Sequence, residues 1–532
     1  MNLLGQSIVG GVSITAQAEH FSAFNPATGQ PLGPPYFCAS LADLDRAAQL
    51  AEESFATYGH LSGHAKGIFL RTIADALQTA SEQLVERAHL ETALPRPRLQ
   101  GEVVRTANQL RLFADVVEEG SWVMARLDSP DPDRKPLPRP DLRSMLRPLG
   151  PVAVFGASNF PLAFSVAGGD TASALAAGNP VIVKAHPAHP GTSELVGQMI
   201  ASCVRSCGLP PGVFSLLFDS GTAIGKVLVQ HPLIRAVGFT GSLAAGRALM
   251  DLAASRPDPI PCFTEMSSAN PVFILPRALR QRGVQIASGL HASVTLGAGQ
   301  FCTKPGLVFL PRQQESADLQ NSLRDLFAAT PSFTMLTAGI AAHYGQAAAQ
   351  RLQTGHATLV ATADASGAAE SDPVVTAARA MLFNTSAAAL AADPTLSEEI
   401  FGPATLLVHY ADRQELLQAA RALRGHLTAT LFGDEEELAQ YADLAAILER
   451  KAGRLLCNAY PTGVEVSHAM VHGGPYPATS DGRSTSVGSQ AILRFARPVC
   501  YQGFVQDLLP AELKQENPLG ILRMVNGAFT RN

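Results

Sequence analysis

The chain has 532 residues, of which 46% are hydrophobic and 16% are charged, and its formal net charge is −5. This length exceeds one ordinary hydrophobic core, so we expect two or three domains. The acidic balance offers no basic surface for nucleic acid. The longest apolar region, 160–183, contains Asp170, Asn179 and two prolines, which excludes a membrane span. Seven scattered cysteines, without a CxxC pair, predict reduced thiols in a cytoplasmic protein.

The first 150 residues predict a hairpin, a helical segment and a proline-rich stretch. The hairpin has its turn at 25–29. From residue 41 to about 120, apolar residues recur every three or four positions, as in helices. The proline-rich stretch 126–141 is compatible with a linker or with an extended arm that packs on another subunit.

From residue 151 onward, short apolar runs alternate with helical stretches. The first runs are 151–156, 180–184, 213–217 and 236–240. This alternation predicts an α/β fold with a parallel sheet covered by helices on both faces. Such sheets bind ligands beyond the carboxyl ends of their strands. The region 160–183 predicts a helix start, a helix of small residues, a turn and a buried strand.

After Asn270 the same pattern predicts a second sheet. Strands are expected at 271–275, 306–310, 381–383, 404–408 and 428–432, and a helix at 282–298. The simple sequence 361–369 predicts a surface loop.

Three residues are candidates for catalysis. Cys302 follows the small residues 297–299, where the backbone can bend sharply, so its thiol could be a nucleophile or simply a buried cysteine. Glu265 could activate water to hydrolyse a thioester, or form a surface ion pair. Asn159 could donate to an oxyanion, or form a turn. Gly241 and Ser242 follow a strand and open a helix, which suits a pyrophosphate or a plain turn.

Six motifs carry a resemblance to a known family. They occur in one order at 158–161, 184–187, 239–242, 265, 299–302 and 398–403. In this order and spacing the chain resembles the aldehyde dehydrogenase superfamily from about residue 20 to about residue 505. Features at 91–95, 184–190 and 461–479 resemble, more narrowly, bacterial 2,5-dioxopentanoate (α-ketoglutaric semialdehyde) dehydrogenases. Bacterial NADP-linked fatty aldehyde dehydrogenases look like their near relatives.

The resemblance implies a domain organisation and a quaternary structure. A Rossmann-type dinucleotide-binding domain would comprise 1–125 and 149–266, and an α/β catalytic domain 267–466. A small β oligomerisation arm would combine 126–148 with 487–505. Homodimers or homotetramers are implied.

The resemblance also implies the roles of individual residues. Cys302 would attack the aldehyde, Asn159 and the Cys302 N–H would hold the oxyanion, and Glu265 would activate water. Binding of NADP or NAD would involve the residues Lys184, Gly241, Ser242, Glu399, Phe401, Phe155 and Pro187. Pro187 stands where many relatives carry an acidic residue, which makes NADP permissible and leaves NAD open.

The sequence gives fewer indications of the residues that bind the substrate. Arg105 and Arg483 could bind a carboxylate, and Phe164 could line an aldehyde tunnel on a helix shared with Asn159, although each could equally be structural. The favoured reaction is oxidation of α-ketoglutaric semialdehyde to 2-oxoglutarate. The alternatives are a fatty aldehyde or another semialdehyde as substrate, or a cysteine hydrolase without redox chemistry.

Two histidine-containing patterns are not expected to bind a metal. Glu465, His468 and His472 have the spacing of a metal-binding helix, but the surrounding glycines and prolines make a long helix improbable. His186 and His189 are separated by a proline.

Overall fold

The computed structural model describes residues 2–14, 19–363 and 376–532. Its first large sheet is parallel at its centre and ends in an antiparallel N-terminal hairpin. The predicted runs at 151–156, 180–184, 213–217 and 236–240 all form strands, which confirms the first α/β unit. In spatial order the described strands are Cys262–Glu265, Ala236–Thr240, Val152–Phe155, Val181–Lys184, Phe214–Leu217, Ser7–Val9 and Val12–Ile14.

Helices cover this sheet because their apolar faces need a partner. Several begin at side-chain caps; Ser40, for example, accepts from the Asp43 N–H while the Asp43 carboxylate accepts from the Ser40 N–H. The helices of this unit are Leu41–Tyr58, Gly63–Thr79, Ser81–Thr92, Arg96–Glu119, Gly169–Ala177, Pro190–Ser206, Ala223–Gln230 and Leu243–Ala254.

The second large sheet is parallel except at one edge, where Thr358–Thr362 runs antiparallel to Met381–Ser386. All five strands predicted after Asn270 are present. In spatial order the strands are Thr358–Thr362, Met381–Ser386, Ala404–Tyr410, Leu307–Pro311, Val272–Ile274, His426–Phe432 and Ala452–Cys457. The helices are Pro276–Thr295, Gln314–Ala328, Ala338–Gln353, Ala387–Ala392, Arg413–Ala422, Glu435–Gln440 and Ala442–Leu448.

A third sheet has five strands among the described residues, and the proline-rich region 126–141 contributes the strand Arg126–Asp128 to it. Its order is Ala496–Gln502, Leu142–Pro148, Arg126–Asp128, Arg523–Val525 and Ala528–Thr530. The last two strands form a C-terminal hairpin that the sequence did not predict. Short pairs elsewhere are His20–Phe24 with Pro31–Phe37, which confirms the hairpin turning at 25–29, and Phe333–Thr334 with Ala377–Ala378.

Two local expectations differ from the structure. Residues 161–168 form turns before the helix Gly169–Ala177, so the expectation that Phe164 shares a helix with Asn159 is wrong. The Ala157 N–H donates to the Phe164 carbonyl at 2.9 Å and closes these turns into a loop. Ala361 lies within the strand Thr358–Thr362 instead of starting a loop, while residues 364–369 of the expected loop lie outside the described residues. No helix in the described ranges has the length and hydropathy needed to cross a membrane.

Candidate active site

The candidate residues of the first sheet meet at its carboxyl edge. Thr240 pairs with Glu265, Phe239 with Phe155, and Phe155 with Lys184 across neighbouring parallel strands. The carboxyl ends of parallel strands share one edge, where ligands bind in open α/β sheets. Cys302 approaches this edge from the second unit, so the site lies between the two large sheets.

A sharp bend of the backbone precedes Cys302 and positions it in the site. Gly297, Ala298 and Gly299 have consecutive positive φ angles of 57°, 58° and 64°. At Gly299 a Cβ atom would lie 2.3 Å from the carbonyl carbon of Gly402, so only glycine fits there. The predicted bend of this small-residue run is confirmed.

Cys302, His472 and Glu265 form a connected group of side chains. The Cys302 Sγ lies 3.4 Å from His472 Nε2, and the same nitrogen lies 2.8 Å from Glu265 Oε1. Ser486 Oγ donates to the other carboxylate oxygen, Oε2, at 2.7 Å. Glu265 and His472 are both almost fully buried. The thiol, the imidazole and the carboxylate can therefore exchange or share a proton.

Burial and charge push the pKa values of the thiol and the carboxylate apart. Burial, followed by the negative charges of Glu265 and Glu399, raises the pKa of Cys302 well above its usual value. Burial alone would also raise the pKa of Glu265, but His472 and the hydrogen bond from Ser486 bring it below its usual value. At neutral pH the carboxylate is therefore charged, and the thiol needs a proton acceptor before it can attack.

Cys302 lies where two cavities meet. Both cavities are also lined by Phe160 and Phe164. The first cavity contains candidates for cofactor binding, and its lining includes Asn159, Thr240, Gly241, Ser242, Glu265, Ser267, Ile340, His343, Glu399 and Phe401. The second is lined by Arg98, Gly101, Glu102, Arg105, Phe301, Thr303, Gly463 and Val464. A group bound in either cavity can reach the same sulfur atom.

Asn159 lies beside the nucleophile and is held from both sides. Its side-chain Nδ2 donates to the Gln300 backbone carbonyl at 3.0 Å, and its backbone carbonyl accepts from Arg98 Nη2 at 2.6 Å. The Arg98 guanidinium packs on the rings of Phe160 and Phe301 at 4.9 and 4.4 Å from their centroids. A side-chain amide carries two N–H donors, so the bond to Gln300 leaves one for an oxyanion.

Arg105 is a buried cation in the second cavity. Its guanidinium lies 4.9 Å from the ring centroid of Phe164, and its Nε donates to the Val464 carbonyl at 3.3 Å. Its Nη2 has no hydrogen-bond partner among the described residues. Burial lowers the pKa of Arg105, and the nearby Glu102 opposes that shift. An unpartnered buried N–H beside a cavity is a good donor for a carboxylate.

Arg483 is not part of this site. Its side chain is 91% exposed and forms an ion pair with Asp481 at 2.9 Å. It lines neither of the two cavities that meet at Cys302. Arg483 is therefore exposed to solvent and already paired with an acid. Arg105 is the better candidate of the two for binding a substrate carboxylate.

The cofactor candidates divide into two groups. Glu399, Phe401, Gly241 and Ser242 line the first cavity, and Ser242 caps the helix Leu243–Ala254 by accepting from a backbone N–H. Burial raises the pKa of Glu399.

Lys184, Pro187 and Phe155 lie further along the same sheet edge. Lys184 Nζ donates to the Asp219 carbonyl at 3.0 Å, and burial lowers its pKa. Pro187 lies in the half-buried turn after Lys184. The Phe155 ring packs edge-on against Phe239, so it is a core residue beneath the edge.

The three residues with the spacing of a metal-binding helix do not come together on a helix. Residues 459–488 contain no helix, and Glu465 and His468 are exposed, whereas His472 points to Cys302. His186 and His189 stack on each other, and His189 contacts the Ala157 carbonyl and Ser193.

His472, Ser486 and Arg98 are the site residues that sequence reasoning missed. His472 was noted only for its spacing from Glu465, although it belongs to the tail stretch 461–479 that carried the narrower resemblance. That tail was the one sequence signal available. For Ser486 and Arg98 no local pattern indicated a role.

Comparison with known proteins agrees with this geometry. Residues 14–486 match the aldehyde dehydrogenase family. The chain is 50% identical over 528 residues, 99% of both chains, to alpha-ketoglutaric semialdehyde dehydrogenase 2 of Azospirillum brasilense. It is 45% identical over 529 residues, again 99% of both, to alpha-ketoglutaric semialdehyde dehydrogenase of Acinetobacter baylyi. The solved aldehyde dehydrogenase KauB of Pseudomonas aeruginosa, at 21% identity, has the same fold with a TM-score of 0.79, covering 94% of this chain and 97% of that chain. The chain belongs to the aldehyde dehydrogenase family.

Proposed function

We propose that this chain oxidises α-ketoglutaric semialdehyde to 2-oxoglutarate, with NADP or NAD as the oxidant. The observation that carries the proposal is the position of the Cys302 thiol between two cavities, one with cofactor candidates and one with the buried Arg105. The names of the two full-length relatives support the choice of substrate.

The reaction begins with removal of the thiol proton. The thiol proton passes to the His472–Glu265 pair, in which Nε2 lies 3.4 Å from the Cys302 Sγ and 2.8 Å from the carboxylate Oε1. The thiolate then adds to the aldehyde carbon, and its oxygen becomes an oxyanion. The Asn159 amide and the Cys302 backbone N–H are the donors for this charge.

Glu265 completes the turnover. A nicotinamide dinucleotide held in the first cavity would supply the hydride acceptor that oxidation of the Cys302 adduct to a thioester requires. Glu265 is ionised because of its lowered pKa, so it can deprotonate a water molecule that attacks the thioester. The carboxylic acid then leaves, and the thiol regains its proton.

The residues of the first cavity fit a dinucleotide. Gly241 and Ser242 are exposed at a helix N-terminus, where free N–H groups favour a pyrophosphate. Glu399 offers a carboxylate for ribose hydroxyls, and Phe401 offers a ring for packing near the nicotinamide. Lys184 would hold the second ribose. The absence of an acid at Pro187 admits the 2′-phosphate of NADP.

Arg105 would bind the substrate carboxylate. Its unpartnered Nη2 suits the acid end of a dicarbonyl acid whose aldehyde reaches Cys302. The aromatic walls provided by Phe160, Phe164 and Phe301 also suit an alkyl aldehyde. A fatty or other aldehyde therefore remains the second candidate substrate.

The test compares α-ketoglutaric semialdehyde with hexanal, using NADP and NAD in parallel. Arg105→Met is expected to raise the KM for the semialdehyde by about ten-fold or more, because a charge-assisted hydrogen bond is lost. It should leave hexanal nearly unaffected. Arg483→Met is the matched control, because it removes an exposed arginine outside both cavities. Faster turnover of hexanal than of the semialdehyde by the wild type would show that the substrate assignment is wrong.

The domain boundaries and the assembly of subunits are also part of what we propose. We propose domains at 1–125 with 149–266 and at 267–466, and an arm at 126–148 with 487–505, assembling as a homodimer or homotetramer. The outer position of Ala496–Gln502 in the third sheet supports this, because an edge strand can pair with another subunit. All seven cysteines are free, which supports a reducing, cytoplasmic location.

A further inference from the structure

The group formed by Cys302, His472 and Glu265 has a second chemical property. Their Sγ, Nε2 and carboxylate oxygen atoms all lie within 4.8 Å of one another. Thiolate, imidazole and carboxylate are the three ligand types that zinc prefers in proteins. Across the described ranges, no other set of three or more such side chains comes this close together.

The distances are near those of a tetrahedral zinc site. With zinc–sulfur and zinc–nitrogen distances of about 2.3 and 2.1 Å, two tetrahedral ligands would be about 3.6 Å apart. The observed separation of Cys302 Sγ and His472 Nε2 is 3.4 Å. Nε2 and Glu265 Oε1, now 2.8 Å apart, would need to separate by about half an ångström. The Cys302 Sγ and a Glu265 oxygen lie within 4.8 Å of each other, and side-chain rotations would have to bring this third pair to about 3.6 Å as well.

The surroundings hold the ligands in place and leave a coordination position open. Ser486 donates to Glu265 Oε2, which leaves Oε1 directed at His472. The His472 backbone N–H donates to Thr485 Oγ1 at 2.8 Å, which fixes the chain at the imidazole. Cys302 lines both cavities, so a fourth ligand such as water can approach from either one. Three protein ligands and an open fourth position are typical of catalytic rather than structural zinc sites.

We propose that Cys302, His472 and Glu265 bind Zn²⁺ reversibly and that this binding inhibits the enzyme. Zn²⁺ displaces the thiol proton, which passes to solvent, and the thiolate sulfur becomes a ligand. A coordinated sulfur cannot add to an aldehyde, and a coordinated carboxylate cannot activate water. Mg²⁺ and Ca²⁺ are excluded because they prefer oxygen ligands. Zinc binding itself does not depend on the proposed substrate.

The test uses the full-length protein after dialysis against a chelator. Calorimetric titration with Zn²⁺ is expected to give one site per chain, and titration with Co²⁺ should give the charge-transfer absorption of a metal–thiolate bond. Cys302→Ser should abolish that absorption, and His472→Gln should weaken Zn²⁺ binding about ten-fold or more. His468→Gln is the matched control, because it removes an exposed histidine from the same tail.

The inhibition is tested in a second arm. Micromolar Zn²⁺ is expected to suppress aldehyde oxidation, to compete with the aldehyde, and to protect Cys302 from alkylation by iodoacetamide, all reversed by EDTA. Equal Zn²⁺ affinity in wild type, Cys302→Ser and His472→Gln would overturn the proposal, because the metal would then bind elsewhere. Failure of the wild type to bind micromolar Zn²⁺ would also overturn it.

Discussion

Replacing His472 by glutamine tests whether His472 takes part in proton transfer from Cys302 and lowers the pKa of Glu265. The variant keeps a neutral polar side chain but removes the ring that lies 3.4 Å from the thiol and 2.8 Å from the carboxylate. The thiol then loses its nearest proton acceptor. Glu265 keeps its hydrogen bonds with Ser486 and Cys302 but loses His472, the largest influence that opposes burial, so its pKa must rise.

The size of the effect follows from the type of contact that is lost. A buried hydrogen bond to a charged group contributes about 1.5–3 kcal/mol, and each 1.4 kcal/mol is tenfold in rate, so we expect kcat/KM to fall roughly ten- to 150-fold. Losing His472 also raises the pKa of Glu265. The base works only when it is ionised, above its pKa. A higher pKa therefore moves the acid limb of the pH–rate profile to higher pH.

The assay is the pH dependence of nucleotide reduction, with the rapid first turnover separated from the steady state. In His472→Gln both phases should slow, since thiol activation precedes the first and water activation limits the second. Ser486→Ala is a graded comparison, because it removes a hydrogen bond from the same carboxylate but leaves the thiol contact intact. An unmoved acid limb and a near wild-type kcat/KM in His472→Gln would refute the reasoning.

Three further predictions concern the nucleophile, the cofactor and the bend. Cys302→Ser is expected to reduce oxidation to background while dinucleotide affinity, measured by fluorescence titration, is retained; undiminished oxidation would contradict the mechanism. Pro187→Glu should lower kcat/KM for NADP about ten-fold relative to NAD, because the new carboxylate repels a 2′-phosphate; an unchanged ratio would place that phosphate elsewhere. Gly299→Ala should lower Tm more than Gly29→Ala, since both have positive φ but only Gly299 has no room for a Cβ; equal losses would contradict the steric argument.

Some of this architecture could be predicted because it depends on local patterns. Strands such as Val181–Lys184 are buried on both faces, so they are continuous apolar runs that are readily identified. The bend before Cys302 was predictable because glycine is the residue that adopts positive φ most easily. The second sheet followed from the same pattern.

Other features depend on contacts between distant parts of the chain. His472 contacts Cys302 across 170 positions in a stretch without regular structure, so no periodicity indicated its role. The C-terminal strands Arg523–Val525 and Ala528–Thr530 have three residues each, too few to show alternation. They pair with each other, and Arg523–Val525 also pairs with Arg126–Asp128 at the start of the proline-rich region. The turns around Phe164 replaced an expected helix because the loop is closed by its own backbone hydrogen bond.

Ser268 fixes the loop of the nucleophile through hydrogen bonds. Its Oγ accepts from the Leu427 N–H at 2.9 Å and donates to Asn270 Oδ1 at 2.8 Å. Asn270 in turn donates to the Cys302 carbonyl at 2.8 Å, so the hydroxyl helps to fix the loop of the nucleophile.

The neighbouring hydroxyl connects two parts of the cofactor site. Ser267 Oγ accepts from the Leu243 N–H at the helix N-terminus and hydrogen-bonds to Glu399. That bond lowers the pKa of Glu399 and so opposes burial, which favours the ionised carboxylate needed to accept from ribose hydroxyls. Both serine hydroxyls therefore form hydrogen bonds with polar groups of the site. Their presence is compatible with an active dehydrogenase because neither hydroxyl removes a donor or acceptor that the proposed mechanism requires.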